Sequence, residues 1–174
     1  IAAQAERARQ AVASLHLRKG GQTLSVTVSG GLADFLAGDD DRELIRRADE
    51  AMYASKKAGR NCAHYNDGRC NHLVKPDQSQ AAATPVTLPT NKVGDEWLYD
   101  SDETAETSQA EPIPHISSRP AFFDDLIRRL SHCRRGGTPL TLLLVQVDAF
   151  PRIVNDHGSA ASDVVLRVTA QLIN

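Results

Sequence analysis

The sequence lacks any apolar run long enough to cross a bilayer. Its longest, Leu140 to Val147, is strand-sized and includes Thr141 and Gln146, against the roughly 20 residues a membrane helix needs. It also lacks a charge excess: 20 Lys and Arg against 22 Asp and Glu leave a formal charge of −2. No basic field therefore points to nucleic acid. Cysteine is scarce, and Cys62, Cys70 and Cys133 cannot all pair within one chain. With no disulfide scaffold in view, a reducing cytoplasm is the expected setting. No secretory signal opens the sequence, which starts at Ile1 and has Met52 as its single methionine, as expected of a cleaved or excerpted chain. There is no nucleophile motif and no standard Gly-rich phosphate loop. His16, His115, His132 and His157 stand without partners that would form a catalytic constellation.

What is present falls into three zones. In the first, residues 1–71, the Ala-rich stretch Ala2 to Leu15 has no Gly or Pro and predicts a helix. Leu24 to Ser29 alternates apolar with Ser and Thr and predicts a strand, followed by Gly30 and Gly31. Leu44, Ile45, Ala48, Ala51 and Met52 have the spacing of an amphipathic helix. Asp39 to Asp41 lie at its positive end, Lys56 and Lys57 in its last turn, and Gly59 at its stop. Cys62 to Tyr65 predicts a short closing strand.

The second zone, residues 72–120, holds most of the eight prolines and few large apolar residues, with seven acids between Asp95 and Glu111. Such a stretch buries too little surface to offset its ordering entropy, so an acidic disordered linker is expected. Trp97, Leu98 and Tyr99 form an apolar island inside it, read as a chance cluster or as a docking segment.

In the third zone, residues 121–174, Phe122, Phe123, Leu126, Ile127 and Leu130 follow helical spacing behind Pro120. Gly136 and Gly137 break the chain, and Leu140 to Val147, apolar on both faces, predicts a central strand. Ser162 or Asp163 is placed to cap a last helix carrying Val165, Leu166, Val168 and Leu172.

Two stretches carry a family resemblance. VTVSGG, Val26 to Gly31, followed by RRADEAMYASKKAGRN, Arg46 to Asn61, closely resembles the closing segment of GGDEF (diguanylate cyclase) domains. Ala48, Asp49, Ala51, Tyr53, Lys56, Gly59, Arg60 and Asn61 stand at matching spacing, and Ala5 to Val12 is similar to the helix after the family's signature hairpin. VQVDAFPRIVNDHGSAASDVVL, Val145 to Leu166, resembles the opening of the same family, with Asp148, Phe150, Gly158, Asp163 and Leu166 in register. The resemblance implies an α/β (α+β) fold of the ferredoxin-like, nucleotidyl-cyclase palm type. Its sheet contains antiparallel pairs and is flanked by helices. It is present here as two partial domains, the back of one copy at 1–71 and the front of a second at 121–174. The linker is long enough to let the third zone pack on the first.

What the family does then follows as an expectation. Two GTP molecules condense to cyclic di-GMP with Mg²⁺ assistance, in a homodimer, in bacterial second-messenger signalling. Lys56 and Arg60, four apart on one helix face, are the expected phosphate-binding pair, although two cations near a helix C-terminus also suit its dipole. Asp163 and Asn155 are the expected guanine contacts and Asp148 the remaining metal candidate. Several departures oppose turnover. Gln146 stands at the first metal aspartate, Pro151 at a lysine, and Val154 at the guanine-binding asparagine, with Asn155 one place late; Ser159 and Ser162 replace His and Gly. A neutral amide gives a hard cation no charge compensation. No GGDEF signature occurs, nor the RxxD inhibitory site before it; Gly94, Asp95 and Glu96 echo it only superficially. No residue is therefore assigned a catalytic role, and the chain alone is expected to be inactive. The alternative is a degenerate regulatory module that binds nucleotide or mediates dimerisation. Arg7 and Arg9 are read chiefly as solvated helix face, the alternative implied by the resemblance being a secondary inhibitory-site arginine. Finally, Cys62, His64, Cys70 and His72 form a C-x-H…C-x-H pattern of zinc-ligand types, without a standard knuckle spacing and with the second pair where order is expected to fade.

Overall fold

The alternating stretch Leu24 to Ser29 forms parts of two strands rather than one. In the computed structural model, which describes residues 1–19, 22–75 and 117–173, helix α1 (Ala2–Ala13) leads into a hairpin of β1 (His16–Lys19) and β2 (Gln22–Ser25). Strand β3 (Val28–Asp34) then begins a separate sheet. Val26 and Thr27 lie between them. Val26 is buried with Val12 and Val28, and the Thr27 carbonyl accepts from the Asp148 amide, so the chain changes sheet partner here.

Helix α2 (Asp41–Lys57) has the ends its sequence predicts. Asp40 accepts from the Glu43 amide, Asp41 and Glu43 occupy the first turn, and Lys56 and Lys57 the last. Each placement satisfies an orphan amide or complements the helix dipole. Strands β4 (Ala63–Asn66) and β5 (Asn71–Leu73) follow, and Val74 bonds back to the Ala63 carbonyl. Order thus extends past residue 71, and at the far side helix α3 (Arg119–Arg134) opens with Ser118 as cap and Pro120 in its first turn. The rest of the acidic zone, with Trp97, Leu98, Tyr99, the Gly94–Glu96 echo and His115, lies outside the described residues.

Strand β6 (Thr141–Val147) and helix α4 (Phe150–Ile173) complete the chain. Helix α4 is interrupted at Gly158, where φ 80° and ψ 175° suit only glycine. The helical path resumes directly after it, so Ser162 and Asp163 lie inside the second segment instead of capping it.

The four-stranded sheet runs β5-β4-β3-β6. Strands β3 and β4 are parallel, joined by α2 as the crossover, while β3 and β6 are antiparallel from Val28↔Val147 to Asp34↔Thr141. Pieces from both sides of the acidic zone therefore share one sheet. Helices cover both faces. Val12 of α1 and Ile153 and Val165 of α4 pack with Val28 and Val147, and on the other face Leu44 and Ala48 of α2 and Leu126 and Leu130 of α3 pack with Ala33 and Leu142. The mixed α/β palm expected from the family is the architecture observed. Strand β6, expected to be central, is the edge of the sheet among the described residues. Its two apolar faces reflect helices above and below, not a strand on either side. Burying Leu126, Leu130 and Leu142 of the third zone against the first contributes on the order of 5–9 kcal/mol before entropy is counted.

One glycine is forced by packing. A Cβ on Gly31 would lie 2.2 Å from the Ala48 carbonyl oxygen and 2.3 Å from the Met52 amide, so α2 rests directly on β3 there. Among the described residues, no helix is long and apolar enough to cross a membrane.

Candidate nucleotide site at the end of helix α2

Helix α2 ends in a tight reversal. Gly59 (φ 108°), Arg60 (φ 66°) and Asn61 (φ 48°) are all left-handed, a conformation that costs roughly 1–2 kcal/mol for an ordinary side chain. Something must hold it. The Asn61 amide donates to Asp148 Oδ2 at 3.1 Å, and Arg9 of α1 donates to Asn61 Oδ1 at 2.6 Å. The Arg60 amide also closes onto the Ser55 carbonyl at 3.0 Å. The turn presenting Arg60 is thus fixed from β6 and α1 together.

Asp148 is the node. Its Oδ1 accepts from Ser29 Oγ at 2.6 Å, and its Oδ2 accepts from Thr27 Oγ1 at 2.7 Å as well as from Asn61. Ser29 and Thr27 come from the first zone and Asp148 from the third, so the same carboxylate also fastens the β3–β6 junction. Both oxygens are already engaged. Gln146, two residues earlier on the same face, is exposed and neutral. Magnesium takes near-octahedral oxygen ligands, usually one or two carboxylates with substrate phosphates and water. Here one carboxylate already accepts from three donors, and the neutral amide beside it supplies no second anionic oxygen.

The other residues singled out by sequence fall as follows. Lys56 is half-buried in the last turn of α2 and Arg60 is exposed just beyond it. Asn155 and Asp163 are exposed on α4, one on each side of the Gly158 break. Arg9 is not solvated helix face: its side chain is 16% exposed and forms a 2.7 Å ion pair with Glu6. Burial raises the Glu6 carboxyl, but its bonds from Arg9 and Gln10 outweigh that and leave it below the ordinary range. Burial pushes the neighbouring Cys62 thiol up.

Sequence reading missed two groups. Thr27, Ser29 and Asn61 stand in the stretches that resemble the family, but their common partner lies more than eighty positions away, so no local signal marks the bonds they make. Arg47, 3% exposed, pairs with Asp39 and donates to the Asp34 carbonyl, while Arg134 of α3 donates to the Asp39 carbonyl at 2.7 Å. That link is a second polar tie between the zones. An open groove of about 590 Å³ runs along α2 beside Phe123, lined by Asp41, Arg42, Ile45, Arg46, Asp49 and Leu144. None of the predicted phosphate, guanine or metal residues lines it.

The zinc-type pattern divides. Strand pairing sets His64 opposite Leu73, and Tyr65 opposite His72, so the two histidines face opposite sides of the hairpin. His64 contacts the buried Ser55 hydroxyl at 2.9 Å, and burial lowers its pKa.

No curated protein matches the chain, and no solved structure does. The family described as "Diguanylate cyclase, GGDEF domain" matches residues 1–62 and 109–174. These two segments comprise more than half of the chain and supply the strands that pair as β3 and β6. The chain belongs to the GGDEF-domain family of diguanylate cyclases.

Proposed function

We propose that this chain is a guanine-nucleotide-binding module of the diguanylate cyclase family that does not itself condense GTP to cyclic di-GMP. The observation behind this reading is the bonding of Asp148. Its carboxylate is committed to Thr27, Ser29 and the Asn61 amide, and so serves the Arg60 turn and the β3–β6 junction. With Gln146 beside it, the end of β6 offers no anionic pair for Mg²⁺. Lys56 and Arg60 take the nucleotide phosphates, Lys as a compact charge and Arg as a planar fork. Asp163 and Asn155 offer a carboxylate and an amide to the guanine edge. The segments at 1–71 and 121–174, derived from the back and front of consecutive copies, act as one palm.

The test is calorimetric titration of the protein with GTP and Mg²⁺, with chromatographic analysis for cyclic di-GMP. Saturable binding is expected, weakened about tenfold by Arg60→Ala, which corresponds to about 1.4 kcal/mol, with no product. Sustained product formation overturns the inactive reading, and failure to bind GTP overturns the nucleotide-binding one. A second role, dimerisation, is favoured by α3, where Phe122 and Ile127 are exposed at 39% and 50%. Sedimentation of an Ile127→Glu variant tests it: dissociation to monomers is expected, and an unchanged state refutes it.

A further inference from the structure

The β4–β5 hairpin carries a feature the nucleotide reading does not use. Its connecting turn, Asp67 to Cys70, is fixed by its own polar groups. Asn66 Oδ1 accepts from the Gly68 amide at 2.9 Å, and Asn66 Nδ2 donates to Asn71 Oδ1 at 2.9 Å. Gly68 supplies the left-handed step, φ 91°. Asp67 Oδ1 accepts from the Arg69 and Cys70 amides, both at 2.8 Å. This orients the carboxylate and leaves Oδ2 directed at two other side chains. His72 Nε2 lies 2.8 Å from it and Cys70 Sγ 3.8 Å, and Sγ and Nε2 are 3.2 Å apart.

We infer that Asp67, Cys70 and His72 form a zinc site, with one carboxylate oxygen, one thiolate and one imidazole nitrogen on three corners of a tetrahedron. Zinc bonds of about 2.0 Å to N or O and 2.3 Å to S place neighbouring ligand atoms about 3.3–3.5 Å apart. The three observed separations lie within about 0.5 Å of that range, so closing onto an ion requires little movement. Thiolate and carboxylate together offset the charge of a dication while the imidazole stays neutral. A sulfur and a nitrogen ligand select zinc over the oxygen-seeking Mg²⁺ and Ca²⁺. The Asp67 anchoring bonds from the turn amides are the kind of outer-shell support that orients a metal ligand. Cys70 and His72 are exposed, so the fourth corner opens to solvent and admits water. Asp67 and Cys70 come from the turn and His72 from β5, so the ion ties the turn to the start of β5 and stabilises that end of the hairpin. Cys62 and His64, which the sequence pattern coupled to Cys70 and His72, take no part, because His64 points to the other face and contacts Ser55.

The experiment uses the whole protein, reduced and stripped of metal, titrated with zinc against a chromophoric chelator and separately with cobalt. One equivalent is expected to bind, with a thiolate-to-cobalt charge-transfer band. Cys70→Ser is expected to abolish that band and, like His72→Gln, to weaken zinc at least tenfold. Cys62→Ser and Cys133→Ser are expected to leave both unchanged. In the unmutated protein, zinc is expected to slow alkylation of Cys70 and not of Cys133, read by peptide mass spectrometry. No zinc uptake at equimolar micromolar concentrations overturns the assignment, as does a cobalt band that survives Cys70→Ser or alkylation protection that falls on another cysteine. GTP binding is not involved in any of these readouts, so the site stands or falls apart from the nucleotide reading.

Discussion

Replacing Asp148 with alanine removes a single carboxylate but releases three donors at once. Ser29 Oγ loses its 2.6 Å acceptor, Thr27 Oγ1 its 2.7 Å acceptor, and the Asn61 amide its 3.1 Å acceptor. Ser29 is 0% exposed in the intact protein, so its hydroxyl has no other acceptor than those the protein supplies. A hydrogen bond to a charged group contributes about 1.5–3 kcal/mol. Asp148 is partly exposed and the three bonds share one carboxylate, so the sum is less than three separate bonds. A loss of about 3 kcal/mol is expected, out of roughly 5–15 kcal/mol for a domain. Asp148→Asn keeps one acceptor oxygen and should cost about half as much. The assay is urea unfolding followed by far-UV circular dichroism, comparing midpoints at constant slope. A second readout is local: hydrogen exchange at the Asn61 amide should accelerate in the alanine variant, because the left-handed turn loses its acceptor. A loss below about 0.5 kcal/mol, the size of an ordinary surface substitution, with Asn61 exchange unchanged, would refute the role of Asp148 as the tie between the zones.

Two further outcomes follow from packing and burial. Gly31→Ala drives a Cβ into α2 backbone atoms 2.2 and 2.3 Å away and should cost about 3 kcal/mol. Gly30→Ala, whose nearest neighbour is the Ala63 Cβ at 3.3 Å, should cost no more than about 1 kcal/mol; equal losses in thermal unfolding contradict the close α2 approach. Burial holds His64 below its ordinary 6.5, so as pH falls the unfolded chain takes its proton first. The stability that neutral His64 supplies is therefore complete above that value and declines as pH drops through it towards the lower folded pKa. His64→Gln should flatten part of that decline in chemical unfolding between about pH 7 and 5, and an unchanged slope contradicts the assignment.

Local signals carried much of this structure. Helix α2 was legible to its caps, because Asp40, Lys57 and Gly59 act within a few residues of where they stand. The family and its palm were legible from the Arg46–Asn61 and Val145–Leu166 stretches, and the family match covers both. What failed was non-local or conformational. Alternation from Leu24 to Ser29 does not reveal that β2 pairs with β1 while β3 pairs with β4 and β6. Apolarity on both faces of β6 reflects cover by helices, a pattern that a central strand shares. Gly158 marks the break in α4, and Ser162 and Asp163, the expected caps, lie inside the segment beyond it. The C-x-H…C-x-H spacing does not show the pairing of β4 with β5, which sends His64 and His72 to opposite faces and leaves Asp67 as the neighbour of Cys70 and His72. The tie of Asp148 to Thr27, Ser29 and Asn61 depends on pairing across the whole chain, and no window of sequence contains it.

The measurement that tests the account most directly is a cross-strand NOE map of the isotopically labelled protein in solution. Pairing of β3 with β6 brings Asp148 under the Asn61 amide and sets the Arg60 turn, so the site depends on it. The account predicts antiparallel contacts in the register Val28↔Val147, Gly30↔Val145, Leu32↔Leu143 and Asp34↔Thr141. Contacts confined within 1–75 and within 117–173, with none between β3 and β6, would contradict it.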